Sequence, residues 1–254
     1  MSYYNPRLIG GALSSGPIAR TGLAAFLAIL LALGCIGLAV GFMLGGNVVE
    51  NIRHATVWIV VDGNVQGTGV LIREDGYILT AAHVVKNGEA GQIRVTLNCG
   101  EAKAETVDAK VTEHVGKAGP PTPEGMGKDY ALLKIESKRK LPYLEVIGSE
   151  GVTEQIPCFV AGFTMGSAAQ TSIYGPNVRI DSGKITAIMR GGDQGALAFN
   201  TNVAIGSGMS GGPCTDEKGR VIGLALMFSQ EASANLILPT SRFKHVWEPL
   251  LRSH

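Results

Sequence analysis

Gly67-Thr68-Gly69-Val70-Leu71-Ile72 is followed, across Arg73-Glu74, by Asp75-Gly76-Tyr77-Ile78-Leu79-Thr80-Ala81-Ala82-His83. Each half is a short apolar run. Asp-Gly between two such runs is a strong hairpin signal, because the glycine accepts the left-handed backbone that a tight turn needs. The stretch therefore reads as two antiparallel strands. The second ends in a histidine, and the small Ala81 and Ala82 leave room for its ring at the strand's end.

Outward from this hairpin the pattern repeats. Residues 55–62, 93–97, 106–112 and 131–135 read as further strands, with a Gly- and Pro-rich surface loop at 114–128. A second set follows at 155–161, 170–174, 178–187, 196–201, 212–215, 221–227 and 234–238. Evenly spaced short strands imply all-β barrels rather than alternating βαβ units. The divide between the two sets falls near 144–152. Residues 239–251 read as a closing helix with Thr240 or Ser241 as N-cap. There is no internal repeat and no long low-complexity tract.

The N-terminal region stands apart. No charged residue occurs from 21 to 49, longer than the roughly 20 residues a bilayer-crossing helix needs. A cleaved signal peptide has an apolar core of only about 7–15 residues, so an uncleaved anchor is expected. Cys35, behind a faint lipoprotein-like box, would lie mid-membrane. Gly37, Gly41 and Gly45 share one helix face, the small-residue spacing that lets membrane helices pack closely. Arg7 and Arg20 precede the span, which favours a cytoplasmic N-terminus and a periplasmic or extracellular remainder. The expected organisation is a short cytoplasmic segment (1–20), a transmembrane anchor (21–46), a first barrel (47–148), and a second barrel with the closing helix (149–254).

The 254 residues carry a formal charge of only +1, which gives no reason to expect a nucleic-acid partner. With 35 glycines and 6% aromatics the composition suits strands and turns more than a helical bundle. No cysteine pair has metal-ligand spacing, so no metal or cofactor is expected.

Three runs carry chemistry: the one ending in His83, Asp129-Tyr130-Ala131-Leu132-Leu133, and Gly208-Met209-Ser210-Gly211-Gly212-Pro213. A serine hydroxyl is a poor nucleophile near neutral pH. It needs a base within hydrogen-bond reach and an acid that orients the base. His83 is the candidate general base. Asp129 opens an alternating strand whose Ala131, Leu133 and Ile135 share a face, so it can be held by the core and still face a cleft. Ser210 lies among glycines that leave its hydroxyl uncovered. The same glycines let the Gly208 and Ser210 amides converge as an oxyanion hole.

The order His, Asp, Ser with these flanks resembles the chymotrypsin-type serine proteases, and more closely their HtrA/DegP-like branch, over residues 57–251. The resemblance implies two six-stranded antiparallel β-barrels of chymotrypsin type with a C-terminal helix. It also implies a serine endopeptidase acting on exported or misfolded proteins. It places Ala204 and Ile205 at the floor of the substrate pocket and Ala225, Leu226 and Met227 on its wall strand. None is charged, so a small-to-medium apolar side chain before the cleaved bond is expected. Related proteases bridge near Cys158 and Cys214, so a disulfide between these two is an expectation of the resemblance, with Cys99 left free. The chain stops where many HtrA-type proteins continue into a PDZ domain, so no such module is expected. Protein or peptide substrates and the membrane are the expected partners. The oligomeric state is open, a homo-oligomer included.

Departures from the family pattern are specific. An aspartate is common at the place of Asn202, and asparagine at Gly206 and Met209. Relatives activated by cleavage carry at the place of Met209 an acid that pairs with a new N-terminus, so activation by trimming is not expected here. The loss of two polar side chains implies a more mobile oxyanion loop. Two other readings remain: a catalytically silent binding or scaffold protein on this fold, and an esterase or amidase using the same residues on a small substrate.

Overall fold

Antiparallel pairing of the short apolar runs closes two barrels in the computed structural model, which describes residues 47–86, 91–117, 125, 127–165, 171–191, 195–226 and 235–252. The first is built from β1 (Thr56–Val61), β2 (Val65–Leu71), β3 (Tyr77–Thr80), β4 (Ile93–Leu97), β5 (Glu105–Val115) and β6 (Ala131–Ile135), in the closed order β1-β2-β3-β6-β5-β4. The second is built from β7 (Pro157–Gly162), β10 (Arg179–Arg190), β11 (Ala196–Thr201), β12 (Pro213–Thr215), β13 (Val221–Leu226) and β14 (Leu236–Pro239), closed as β10-β11-β14-β13-β12-β7. Closure leaves neither sheet an open edge. The expected strand at 170–174 is instead half of a small hairpin, β8 (Thr171–Ser172) with β9 (Gly175–Pro176).

The opening hairpin forms as read. Leu71 pairs with Ile78, and Gly76 turns the chain at φ +100°. Its ideal Cβ would stand 2.8 Å from Ile135 Cγ1, so a side chain there is blocked by packing as well as by backbone. On β6, Leu132 is buried alongside Ala131, Leu133 and Ile135. The alternation in the sequence is therefore masked, because both faces of this strand are covered.

Residues 47–55, expected to begin the strand-rich part, are helical instead. The apolar segment 21–46, its glycine face and Cys35 lie outside the described residues. Among the described residues, no helix is long and apolar enough to cross a membrane.

The segment joining the barrels is tied to both. Leu144 N–H donates to Leu71 O (3.0 Å) and Ile147 N–H to Val221 O (3.1 Å). The closing segment is a 3₁₀ turn (Thr240–Phe243) running into a helix (Lys244–Leu251). Neither Thr240 nor Ser241 caps it. The buried Thr240 hydroxyl turns inward to Ile147 O (2.6 Å) and Ile222 O (3.2 Å), and Pro239 stands at the first boundary. Phe243, Val246 and Trp247 pack into the core cluster that contains the first barrel.

Phe199, Ile185, Met209 and Ile237 centre a separate cluster in the second barrel. Phe199 is 0% exposed. Phe199→Ala is expected to cost about 3–5 kcal/mol of unfolding free energy, read as a lower urea midpoint for the full-length chain.

Candidate active site

Register brings the first two candidate residues together. β3 runs antiparallel to β6, with Thr80 opposite Ala131. The chain leaving β3 toward His83 and the chain entering β6 from Asp129 therefore meet at one end of the barrel. His83 Nδ1 lies 2.6 Å from Asp129 Oδ2, and the His83 backbone N–H donates to Asp129 Oδ1 at 3.0 Å. Both carboxylate oxygens are thus engaged by one residue. An ionised carboxylate only accepts, so in the neutral imidazole this contact selects the tautomer with the hydrogen on Nδ1 and the acceptor lone pair on Nε2. Asp129 is 0% exposed, while the His83 side chain is 35% exposed. The carboxylate is inside and the imidazole faces outward.

Asp129 is also braced from behind. Tyr130 stacks on Phe243 of the closing 3₁₀ turn (5.2 Å between ring centroids), and Tyr130 O accepts the Gly116 N–H at 2.9 Å. Burial pushes the Tyr130 phenol above its ordinary value, so it stays a neutral packing ring at physiological pH. The chain's closing segment thereby supports a strand entrance in the first barrel, a long-range contact with no mark in the sequence.

Ser210 arrives from the second barrel. Its carbonyl accepts the Thr68 N–H at 3.0 Å. An ideal Cβ on the next residue, Gly211, would stand 2.7 Å from Ala81 N. The turn that carries Ser210 is therefore pressed against the same strand end that leads to His83. Gly211 has φ +85° and Gly208 φ +91°, conformations that exclude most side chains. Ser210 is 6% exposed.

The directions of the two candidate oxyanion amides follow from their carbonyl partners. A trans peptide points its C=O and N–H in opposite directions. Ser207 O accepts Met165 N–H (2.8 Å), so the Gly208 N–H of that peptide faces the other way. Met209 O accepts Gly212 N–H (3.0 Å), which turns the Ser210 N–H likewise. Among the described residues, the Gly208 amide has no acceptor of its own.

Met209 behaves differently from the expectation of a loosely held loop. It is 0% exposed and packs with Phe199, Val160 and Ile185, and the Gly206 N–H points at its sulfur at 3.4 Å. Burial of an apolar side chain anchors the loop where polar ones are missing. Asn202 keeps an acceptor role, since its Oδ1 takes the Lys184 N–H at 2.8 Å.

The pocket candidates divide. Ala204 is exposed and Ile205 half-buried, its N–H held by Asn235 Oδ1 at 2.9 Å. Ala225 and Leu226 are buried, at 0% and 1% exposure. Ala225 gives its side chain to the barrel core and its backbone to the nucleophile turn, accepting Gly211 N–H and donating to Gly212 O, both at 2.8 Å. Met227 lies outside the described residues. Met165, 44% exposed, lies against Ser207 and Gly208, beside the candidate oxyanion amides, and the sequence carries no signal for it.

Cys99, Cys158 and Cys214 are buried free thiols. Where the resemblance implied a bridge, the structure has a thiol pair. Cys214 stands opposite Val160, which puts Cys158 diagonally across from it on the paired strand. A hydrogen bond from the Cys214 thiol holds Cys158 below its ordinary value. The same bond, together with burial, pushes Cys214 well up. Burial pushes the Cys99 thiol up to about 12.

The family model of the trypsin-like peptidase domain matches residues 67–224. The chain is 36% identical over 161 residues to a probable periplasmic serine endoprotease DegP-like of Halomonas elongata, covering 62% of this chain and 28% of that protein. It is 30% identical over 195 residues to a protein of the same description from Rhizobium meliloti, covering 74% and 33%. The chain thus spans about a third of the length of these curated relatives. Among solved structures, that of Deg5 superposes with a TM-score of 0.60 at 20% identity, covering 83% of this chain and 91% of that one. The HtrA-type protease AlgW with a tripeptide gives 0.61 at 23%, covering 82% and 63%. At these identities the structures speak for the fold alone.

Proposed function

The chain belongs to the trypsin-like peptidase domain family, and from that premise we propose that it is a serine endopeptidase whose nucleophile is Ser210, general base His83 and orienting acid Asp129. The observation that carries this reading is the two-point grip of a fully buried Asp129 on His83, which leaves Nε2 as the acceptor a serine proton needs. In the first step Ser210 Oγ attacks the substrate carbonyl carbon and its proton passes to His83 Nε2. The carbonyl oxygen becomes an oxyanion facing the Gly208 and Ser210 amides, an arrangement worth about 2.7–4 kcal/mol per donor. His83 returns the proton to the leaving amine, and water then releases the acyl group by the same path.

The uncharged Ala204 and Ile205 support a preference for a small-to-medium apolar side chain before the cleaved bond. The apolar run over 21–46, with Arg7 and Arg20 before it, supports a single membrane anchor with the catalytic part on the periplasmic side. Relatives described as periplasmic support the same side. Exported or unfolded proteins are the substrates such a location would supply.

The test is digestion of an unfolded protein by the full-length chain in detergent, with cleavage sites mapped by mass spectrometry. Internal cuts after Ala, Val or Ile are expected, favoured over Lys and Arg by about tenfold or more. Cuts mainly after Lys or Arg would refute the pocket assignment. Absence of any cut would refute the endopeptidase reading and leave a protease fold used for binding.

A further inference from the structure

We propose that Thr68, on β2 of the first barrel, is the positioning residue that holds the oxyanion hole of the second barrel in its working shape. The inference rests on the protease reading above. It concerns a residue that contributes no atom to the proton path.

Four successive peptides make the loop from Ser207 to Gly211. Their carbonyls are tied in turn to Met165 N–H, Thr68 Oγ1, Gly212 N–H and Thr68 N–H. The first and third peptides supply the two oxyanion amides. The second and fourth are both held by Thr68. Its hydroxyl donates to Gly208 O at 2.7 Å, and its backbone N–H donates to Ser210 O at 3.0 Å. One residue of the opposite barrel therefore grips the carbonyl end of both peptides that flank the amides, while their N–H ends are held within the second barrel by Gly206 O (3.1 Å) and Ala225 O (2.8 Å).

The hydroxyl has a second duty. It accepts the Phe163 N–H at 3.0 Å. Phe163 begins the short segment whose Met165 N–H holds Ser207 O. Through one oxygen, Thr68 sets the loop and the segment that orients the first oxyanion amide. The residue is itself immobilised: it is 0% exposed, its carbonyl accepts the Thr80 hydroxyl at 2.7 Å, and an ideal Cβ on Gly212 would lie 3.0 Å from its methyl group.

Gly208 makes such a holder necessary. A glycine at φ +91° can leave that conformation at little intrinsic cost, so the peptide on either side turns unless it is tied. Met209 anchors the loop by burial, and its N–H, donating to Gly206 O at 3.1 Å, ties the far side of the peptide whose carbonyl Thr68 holds.

The test compares Thr68→Val and Thr68→Ser in the full-length chain. Valine keeps the shape and removes the donor and acceptor. Serine keeps both. In Thr68→Val, kcat is expected to fall about 100-fold or more with KM within about threefold. Affinity for a peptide boronic acid, a mimic of the tetrahedral intermediate, should fall in parallel with kcat/KM. Thr68→Ser is expected to stay within about threefold of the parent on every readout. A Thr68→Val protein that melts lower but keeps its kcat would overturn the inference and leave Thr68 a packing residue. Should the valine protein fail to fold, Thr68→Ser still decides, because a tenfold loss of kcat with the hydroxyl present would contradict it. An inactive parent chain would instead refute the protease reading itself.

Discussion

Ser210→Ala is expected to lower kcat by about 10⁶-fold while leaving the thermal melting temperature within a degree or two of the parent. The side chain is 6% exposed and sits on a turn held by backbone hydrogen bonds to Thr68 and Ala225 rather than by its own packing. Removing one oxygen therefore takes away the attacking atom and little else. Ser207 cannot substitute. It is exposed, and its hydroxyl is directed at the Met165 sulfur, 3.6 Å away. The residual rate should come from the oxyanion amides and substrate binding, which the alanine leaves in place. Peptide-substrate kinetics and a melting curve on the same preparation check both halves. A variant within a hundredfold of the parent would mean that another group is the nucleophile.

Asp129→Asn is expected to cost about 10⁴-fold in kcat through the tautomer of His83. The replacement has the same shape, but its two ends differ. One end of Asp129 accepts the His83 backbone N–H, and only the amide oxygen of asparagine can take that place. The NH₂ group is then forced toward Nδ1, 2.6 Å away in the parent. Nδ1 must accept, Nε2 must carry the hydrogen, and the acceptor that Ser210 needs is gone. The imidazole ¹⁵N shifts of His83 should report the inverted tautomer. Full activity with the parental tautomer would show that the carboxylate does not set the base.

The distribution of what could be read in advance has physical reasons. The opening hairpin was legible because a turn residue and two apolar runs are local. His83, Asp129 and Ser210 stood out because a nucleophile turn and strand-end residues need particular neighbours in sequence. Leu132 hid the alternation of its strand because both faces of β6 are covered. Helix 47–55 is only nine residues long, and the helical spacing of Val48, Ile52 and Ala55 among polar neighbours is too short a signal to stand out beside the strand pattern that follows it. Thr240 looked like a cap, yet burial gave its hydroxyl better acceptors inside. Nothing local to Thr68 marks its role. Its partners lie 95 and 140 residues away, and only the closure of two barrels brings them together. Met209 lacks the polar side chain expected at its place, and the fold uses its apolar one, which the core accepts.

The most direct test of an activated serine is labelling of the full-length chain with a fluorophosphonate probe, with the adduct located by mass spectrometry and Ser210→Ala as control. The account predicts one adduct on Ser210 that is absent from the control. An unlabelled parent chain, or an adduct on Ser207 that survives in the control, would contradict it.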